Sequence, residues 1–82
     1  ADAFIALPGG VGTLVEVAMS YNLIAIGAIR VRHLIVIGEG WKQTFEAFFN
    51  GQGASVNAST RAILKFAADA ESAVALLHQE KE

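Results

Sequence analysis

Three glycines in four positions, followed closely by a threonine and a glutamate, carry most of the chemistry this 82-residue chain can offer. The segment reads Pro8-Gly9-Gly10-Val11-Gly12-Thr13-Leu14-Val15-Glu16. A glycine-rich turn that opens onto a helix can bind an anion. The first N–H groups of a helix have no partner within it, and the helix dipole leaves a partial positive charge at that end. Glycine has no Cβ to keep an anion away from those N–H groups, and phosphate is the common biological guest.

The two best-known phosphate motifs are not met. A P-loop needs Lys and Ser or Thr after its last glycine, and the first lysine is Lys42. A dinucleotide turn needs G-x-G-x-x-G; Gly10 and Gly12 fit, but the third place holds Val15. Thr13 and Glu16 also have a purely structural reading. Thr-x-x-Glu is a capping box, with Thr13 as N-cap and Glu16 at the third helical position. Ser20 and Asn22 lack the His and acid of a nucleophilic triad. His33 and His78 do not have metal-ligand spacing, and the chain has no Cys. The expectation is therefore a site that holds no metal.

The surrounding elements must place this turn. Ala3 to Leu7 is a short apolar run that reads as a fully buried strand. Thr13 opens a helix to about Ile26, with Gly27 as its C-terminal cap. That helix is apolar on nearly every side, which predicts burial all round: one side on the sheet, another on a second subunit. His33 to Ile37 reads as a second buried strand, ended by Gly38-Glu39-Gly40. Trp41 to Phe49 reads as a helix with Trp41, Phe45, Phe48 and Phe49 on one side. Residues 50–60 read as a Gly/Ser/Asn-rich loop, Arg61 to Ala67 as a strand, and Asp69 as the N-cap of a last helix. Ala73, Val74, Leu76 and Leu77 would point inward from it, and the Gln79-Glu80-Lys81-Glu82 tail would be solvated. Strands alternating with helices predict an α/β fold: a parallel, Rossmann-like sheet with flanking helices in the order β-α-β-α-β-α. In such sheets ligands sit beyond the carboxyl ends of the strands, where Leu7 leads into the glycine turn.

Composition sets outer limits. Eighty-two residues make one domain at most. Yet 54% are hydrophobic and 17% charged, more apolar side chain than so small a globule can hide. Some of it should meet another chain or a further part of this one. Six Lys and Arg against eight Asp and Glu give no basic stripe for nucleic acid. The most apolar stretch, Val17 to Ile29, is too short to span a bilayer, which needs about 20 apolar residues. The absence of Cys fits a reducing, cytoplasmic setting.

The full string Pro-Gly-Gly-x-Gly-Thr-x-x-Glu, as Pro8, Gly9, Gly10, Gly12, Thr13 and Glu16, resembles the signature of the LOG family, whose members were once described as possible lysine decarboxylases. Its characterised plant members are cytokinin riboside 5′-monophosphate phosphoribohydrolases, and related bacterial proteins cleave AMP to adenine and ribose 5-phosphate. The lead-in Ala1-Asp2-Ala3-Phe4-Ile5-Ala6-Leu7 is similar to the family's strand before the motif; the remainder is similar in layout only. The resemblance implies a hydrolase acting on the N-glycosidic bond of a nucleoside 5′-monophosphate, without cofactor, as a dimer. It implies Glu16 as the catalytic carboxylate, and Gly9, Gly10, Val11, Gly12 and Thr13 as phosphate ligands. Many members carry a second acidic residue where this chain has Val15. The family's catalytic arginine lies upstream of the motif, and Arg30, Arg32 and Arg61 do not match it. Residues 1–82 thus resemble the C-terminal half of such a domain, inactive alone. Some relatives in the wider superfamily bind nucleotides or molybdenum cofactor without this hydrolysis, so a non-catalytic binding module is the alternative. Trp41 reads as packing or as a wall of the pocket.

Overall fold

Among the described residues, three short strands and four helices follow one another. They are β1 (Ala3–Ala6), α1 (Val11–Ala25), β2 (His33–Ile37), α2 (Glu39–Gln52), α3 (Ala58–Ile63), β3 (Leu64–Ala67) and α4 (Ala70–Lys81), with a 3-10 turn at Gly53–Ser55 before α3. The structure is a computed structural model that describes residues 3–81, the last three by their backbone alone. Ala1 and Asp2 of the lead-in, and the side chains of the tail expected to be solvated, lie outside the described residues.

The strands pair in the order β1-β2-β3, parallel throughout. This is the parallel, Rossmann-like α/β arrangement that the alternation of elements predicts. Side chains alternate across β2, so each face of the sheet receives its own set. Leu34 and Val36 pack against Val17, Tyr21 and Ile24 of α1, Trp41 and Phe45 of α2, and Leu64. Ile35 and Ile37 pack on the other face against Ala67 and Ala73, with Leu76 and Leu77 beside them. Leu34, Ile35 and Val36 are essentially inaccessible to solvent, and burial of each contributes roughly 1.5–3 kcal/mol. β2 is the strand covered on both sides, and its continuous apolar sequence is what that position requires.

β1 departs from expectation. It ends at Ala6, and it is an edge strand: Phe4 is 38% and Ile5 43% exposed. An apolar run specifies a strand that can be buried, but not that a neighbour covers it. α1 departs too. Val17, Tyr21 and Ile24 are buried, whereas Val11, Val15, Met19 and Ile26 form a solvent-facing apolar stripe on the opposite side. At its C-terminus Gly27 takes φ +76°; its N–H meets the Ile24 carbonyl and the Ala28 N–H the Leu23 carbonyl. That is a Schellman cap, and glycine supplies the left-handed residue it needs.

Residues 50–60 are not a loop. α2 continues to Gln52, and Asn57 caps α3, its side-chain oxygen accepting from the Thr60 N–H at 2.8 Å. The Gly, Ser and Asn that read as loop are here the residues of a helix end, a tight turn and a helix start. α3 takes Arg61 to Ile63 from the expected third strand, leaving it Leu64–Ala67. The Tyr21 hydroxyl donates to the Thr60 carbonyl at 2.6 Å; burial pushes its pKa up, with Arg61 opposing. Arg61 donates to the Phe49 carbonyl and lies 5.1 Å from the Phe49 ring centre, a cation–π contact that ties α3 to α2. Trp41 and Phe45 are buried and Phe49 half-buried, but Phe48 is exposed. Val74 is likewise exposed rather than inward, while Ala73, Leu76 and Leu77 face the sheet.

Asp69 caps α4 as its sequence position suggests, accepting from the Ser72 N–H at 2.8 Å. The Ser72 amide, and then the Ser72 hydroxyl, hold its carboxyl below the usual aspartate range. A depressed folded-state pKa means stability present above the unfolded value and lost as pH falls through the folded one. Asp69→Ala should therefore be less stable than wild type at neutral pH. The gap should close on acidification through the aspartate range, as read from urea unfolding midpoints at a series of pH values. A gap independent of pH would contradict the charged cap.

Candidate functional site

β1 and β2 are parallel and in register, with Ala6 opposite Val36, so both strands release their chains at one edge of the sheet. After β1 comes the turn from Leu7 to Gly10; after β2 comes Gly38, which takes φ +108° and opens α2. The two turns touch. A Cβ on Gly38 would lie 3.3 Å from Cγ of Pro8. The Trp41 indole N–H donates to the Leu7 carbonyl at 2.9 Å, and Trp41 itself is buried. Neither contact is legible in the sequence, because each joins residues some 30 positions apart that only strand register brings together.

α1 begins earlier than expected. Gly10 is its N-cap, Val11 the first helical residue and Thr13 the third. No side chain caps the helix, and its first turn holds no acidic residue. The expected capping box is thus absent. Thr13 is already inside the helix, and Glu16 is a full turn in. The glycine at 10 supplies the extended N-cap backbone that was assigned to Thr13, and the helix N-terminus is left open to a ligand.

Two of the three motif glycines have no steric partner within the described residues. A Cβ on Gly10 or Gly12 would meet nothing within 4 Å. Gly9 differs: a Cβ there would run into Thr13 Oγ1 and lie 2.8 Å from Thr13 Cβ. Gly9 lets the threonine fold back over the turn, while Gly10 and Gly12 have open space where a side chain would stand. None of the three has positive φ, so conformational freedom is not what these positions use.

Thr13, Glu16 and Ser20 follow one another at spacings of three and four along one flank of α1. They line a cleft of about 520 Å³ with Phe4, Leu7 and Pro8. Glu16 is exposed, and its carboxylate makes no hydrogen bond or ion pair with another described residue. Val15, in the place of the second acid, is on the outward stripe, 55% exposed. Arg30 and Arg32 are exposed in the connection before β2, and His33 begins that strand, at the end of the sheet away from the turn. Arg61 is engaged on Phe49. Among the described residues no group of three or more His, Cys, Asp or Glu is placed to hold a metal ion. No helix among them is long and apolar enough to cross a membrane.

Fold and site together define a Rossmann-like α/β protein with a glycine turn at the carboxyl edge of its parallel sheet, opening a helix that no side chain caps. The chain belongs to the family described as possible lysine decarboxylase, the LOG family that its motif resembles: the family model matches residues 1–77. No curated protein and no solved structure matches it.

Proposed function

We propose that this domain serves the hydrolysis of the N-glycosidic bond of a nucleoside 5′-monophosphate, AMP or a cytokinin riboside monophosphate, to free base and ribose 5-phosphate. One observation carries the reading. Glu16 lines the same cleft as Thr13, one turn beyond the bare helix N-terminus. The N–H groups of the Gly9 to Thr13 segment, with the Thr13 hydroxyl, take the phosphate. About 1.5 Å of helix rise per residue puts Glu16 roughly 4.5 Å further along, beside the sugar rather than the phosphate.

In this reaction the bond from the anomeric carbon to the base nitrogen breaks, and its electron pair leaves with the base. Water adds to the anomeric carbon, and a proton from that water reaches the base. Positive charge develops on the ribose as the bond opens. The Glu16 carboxylate stabilises that charge or orients the water. On this proposal the reaction runs in the cytoplasm, and none of Arg30, Arg32 and Arg61 supplies the family's catalytic arginine. Lysine decarboxylation fits less well. A pyridoxal-phosphate enzyme needs a Schiff-base lysine; the cleft is lined by no lysine, and Lys42 lines a separate hollow with Glu39 and Phe66.

The outward stripe of Val11, Val15, Met19 and Ile26 supports a homodimer packed through α1, since exposed apolar patches of this kind mark interfaces. Sedimentation of the full-length protein should give a dimer, and Met19→Lys should shift it to monomer; a wild-type monomer at micromolar concentration would sink this assignment. For the reaction, full-length protein should release adenine and ribose 5-phosphate from AMP. Glu16→Gln should lower the rate about 10²–10⁴-fold, the range of a lost general acid–base group, with the fold intact by circular dichroism. AMP binding without turnover in wild type would instead make the domain a non-catalytic nucleotide-binding module.

A further inference from the structure

We infer that Trp41, from the second strand–helix turn, is a positioning residue for the phosphate-binding turn. The inference rests on the reading of that turn given above.

The peptide between Leu7 and Pro8 has only one polar group that can be anchored. Proline has no N–H, so the Leu7 carbonyl alone can fix the orientation of this peptide plane. It lies just beyond the end of β1, whose ladder stops at Ala6. The Trp41 indole N–H occupies that carbonyl at 2.9 Å. Indole is a donor only, with its hydrogen fixed in the ring plane, so the bond sets direction as well as distance. Trp41 is itself held: it is buried, and its ring lies 6.2 Å from that of Phe45, centre to centre. Gly38 lies beside the Pro8 ring, with no room for a side chain between them, and the Thr13 side chain covers Gly9. Leu7, Pro8 and Gly9 thus each meet a neighbour from the surrounding fold, whereas Gly10 and Gly12 face open space.

That division is what a preorganised anion site needs. Donors bind an anion well when they are aimed beforehand by a rigid support. Remove the Trp41 N–H, and the Leu7–Pro8 plane is free to turn, carrying the amides that follow it. The loss falls on phosphate binding, and only weakly on bond cleavage, because Trp41 itself touches neither substrate nor reacting atoms in this account.

Three forms of the full-length protein test this: wild type, Trp41→Phe, and a form with benzothienylalanine at position 41, which keeps the indole shape without its N–H. Ligands are AMP and inorganic phosphate, measured by calorimetry. Both substitutions should weaken AMP and phosphate binding about 5- to 30-fold and raise KM by a similar factor, with kcat within about two-fold, the signature of lost uniform binding. 7-Azatryptophan, which keeps the N–H, should restore affinity. Phe49→Leu disturbs the same aromatic cluster one ring further from Trp41; it should lower Tm yet leave phosphate affinity unchanged. Wild-type binding with unchanged affinity in the benzothienyl form would overturn the positioning role and leave the phosphate turn standing. Equal loss of affinity in Phe49→Leu would reduce Trp41 to packing. No phosphate or AMP binding by folded wild type would overturn the turn itself, and this inference with it.

Discussion

Parallel pairing of β1 with β2, Ala6 opposite Val36, is the constraint on which the site depends. Parallel strands end at the same edge, so the two glycine turns emerge side by side. With that register Gly38 meets Pro8 and Trp41 reaches Leu7. A shift by one residue would reverse which β2 side chains face which layer, taking Leu34 and Val36 away from α1 and α2. The burial of β2 therefore also fixes the position of the turn. The apolar core is the mechanical support of the polar site, and Trp41 belongs to both.

The same arrangement explains why so apolar a chain leaves so much of itself outside. The sheet has three strands, and α1 and α2 cover one face while α4 covers the β2–β3 side of the other. Ile5, on β1, is left without a cover. α1 is divided lengthwise into a buried stripe, a polar flank with Thr13, Glu16 and Ser20, and an apolar outer stripe. A helix needs only one apolar side to hold it to a sheet; the outer stripe of Val11, Val15, Met19 and Ile26 has no use within these residues.

Much of this was readable in advance, for identifiable reasons. HLIVI reads as a buried strand, and the structure forms it over the same residues and buries it. Gly27 and Asp69 announced a helix end and a helix start because each type has one strong local role, and both perform it. The motif turn was legible from glycine spacing alone. The errors arose where local chemistry has two uses. Thr-x-x-Glu matches a capping box, but the N-cap is Gly10, three residues before Thr13. Gly, Ser and Asn in residues 50–60 serve helix ends rather than a loop. Exposure of β1, Phe48 and Val74 depends on what covers them, which no local pattern encodes. The Trp41–Leu7 bond could not be read because its partner is a backbone carbonyl, which every residue carries.

The most direct test of the central claim, that the bare amides of the glycine turn receive a phosphate, is an amide chemical-shift titration of isotope-labelled protein with AMP and, in parallel, adenosine. Saturable shifts are expected at Gly9, Gly10, Val11, Gly12 and Thr13 with AMP, and much smaller ones with adenosine. Shifts of equal size with both ligands, or shifts confined to the apolar groove of Phe48, Phe49 and Val56 between α1 and α2, would contradict it.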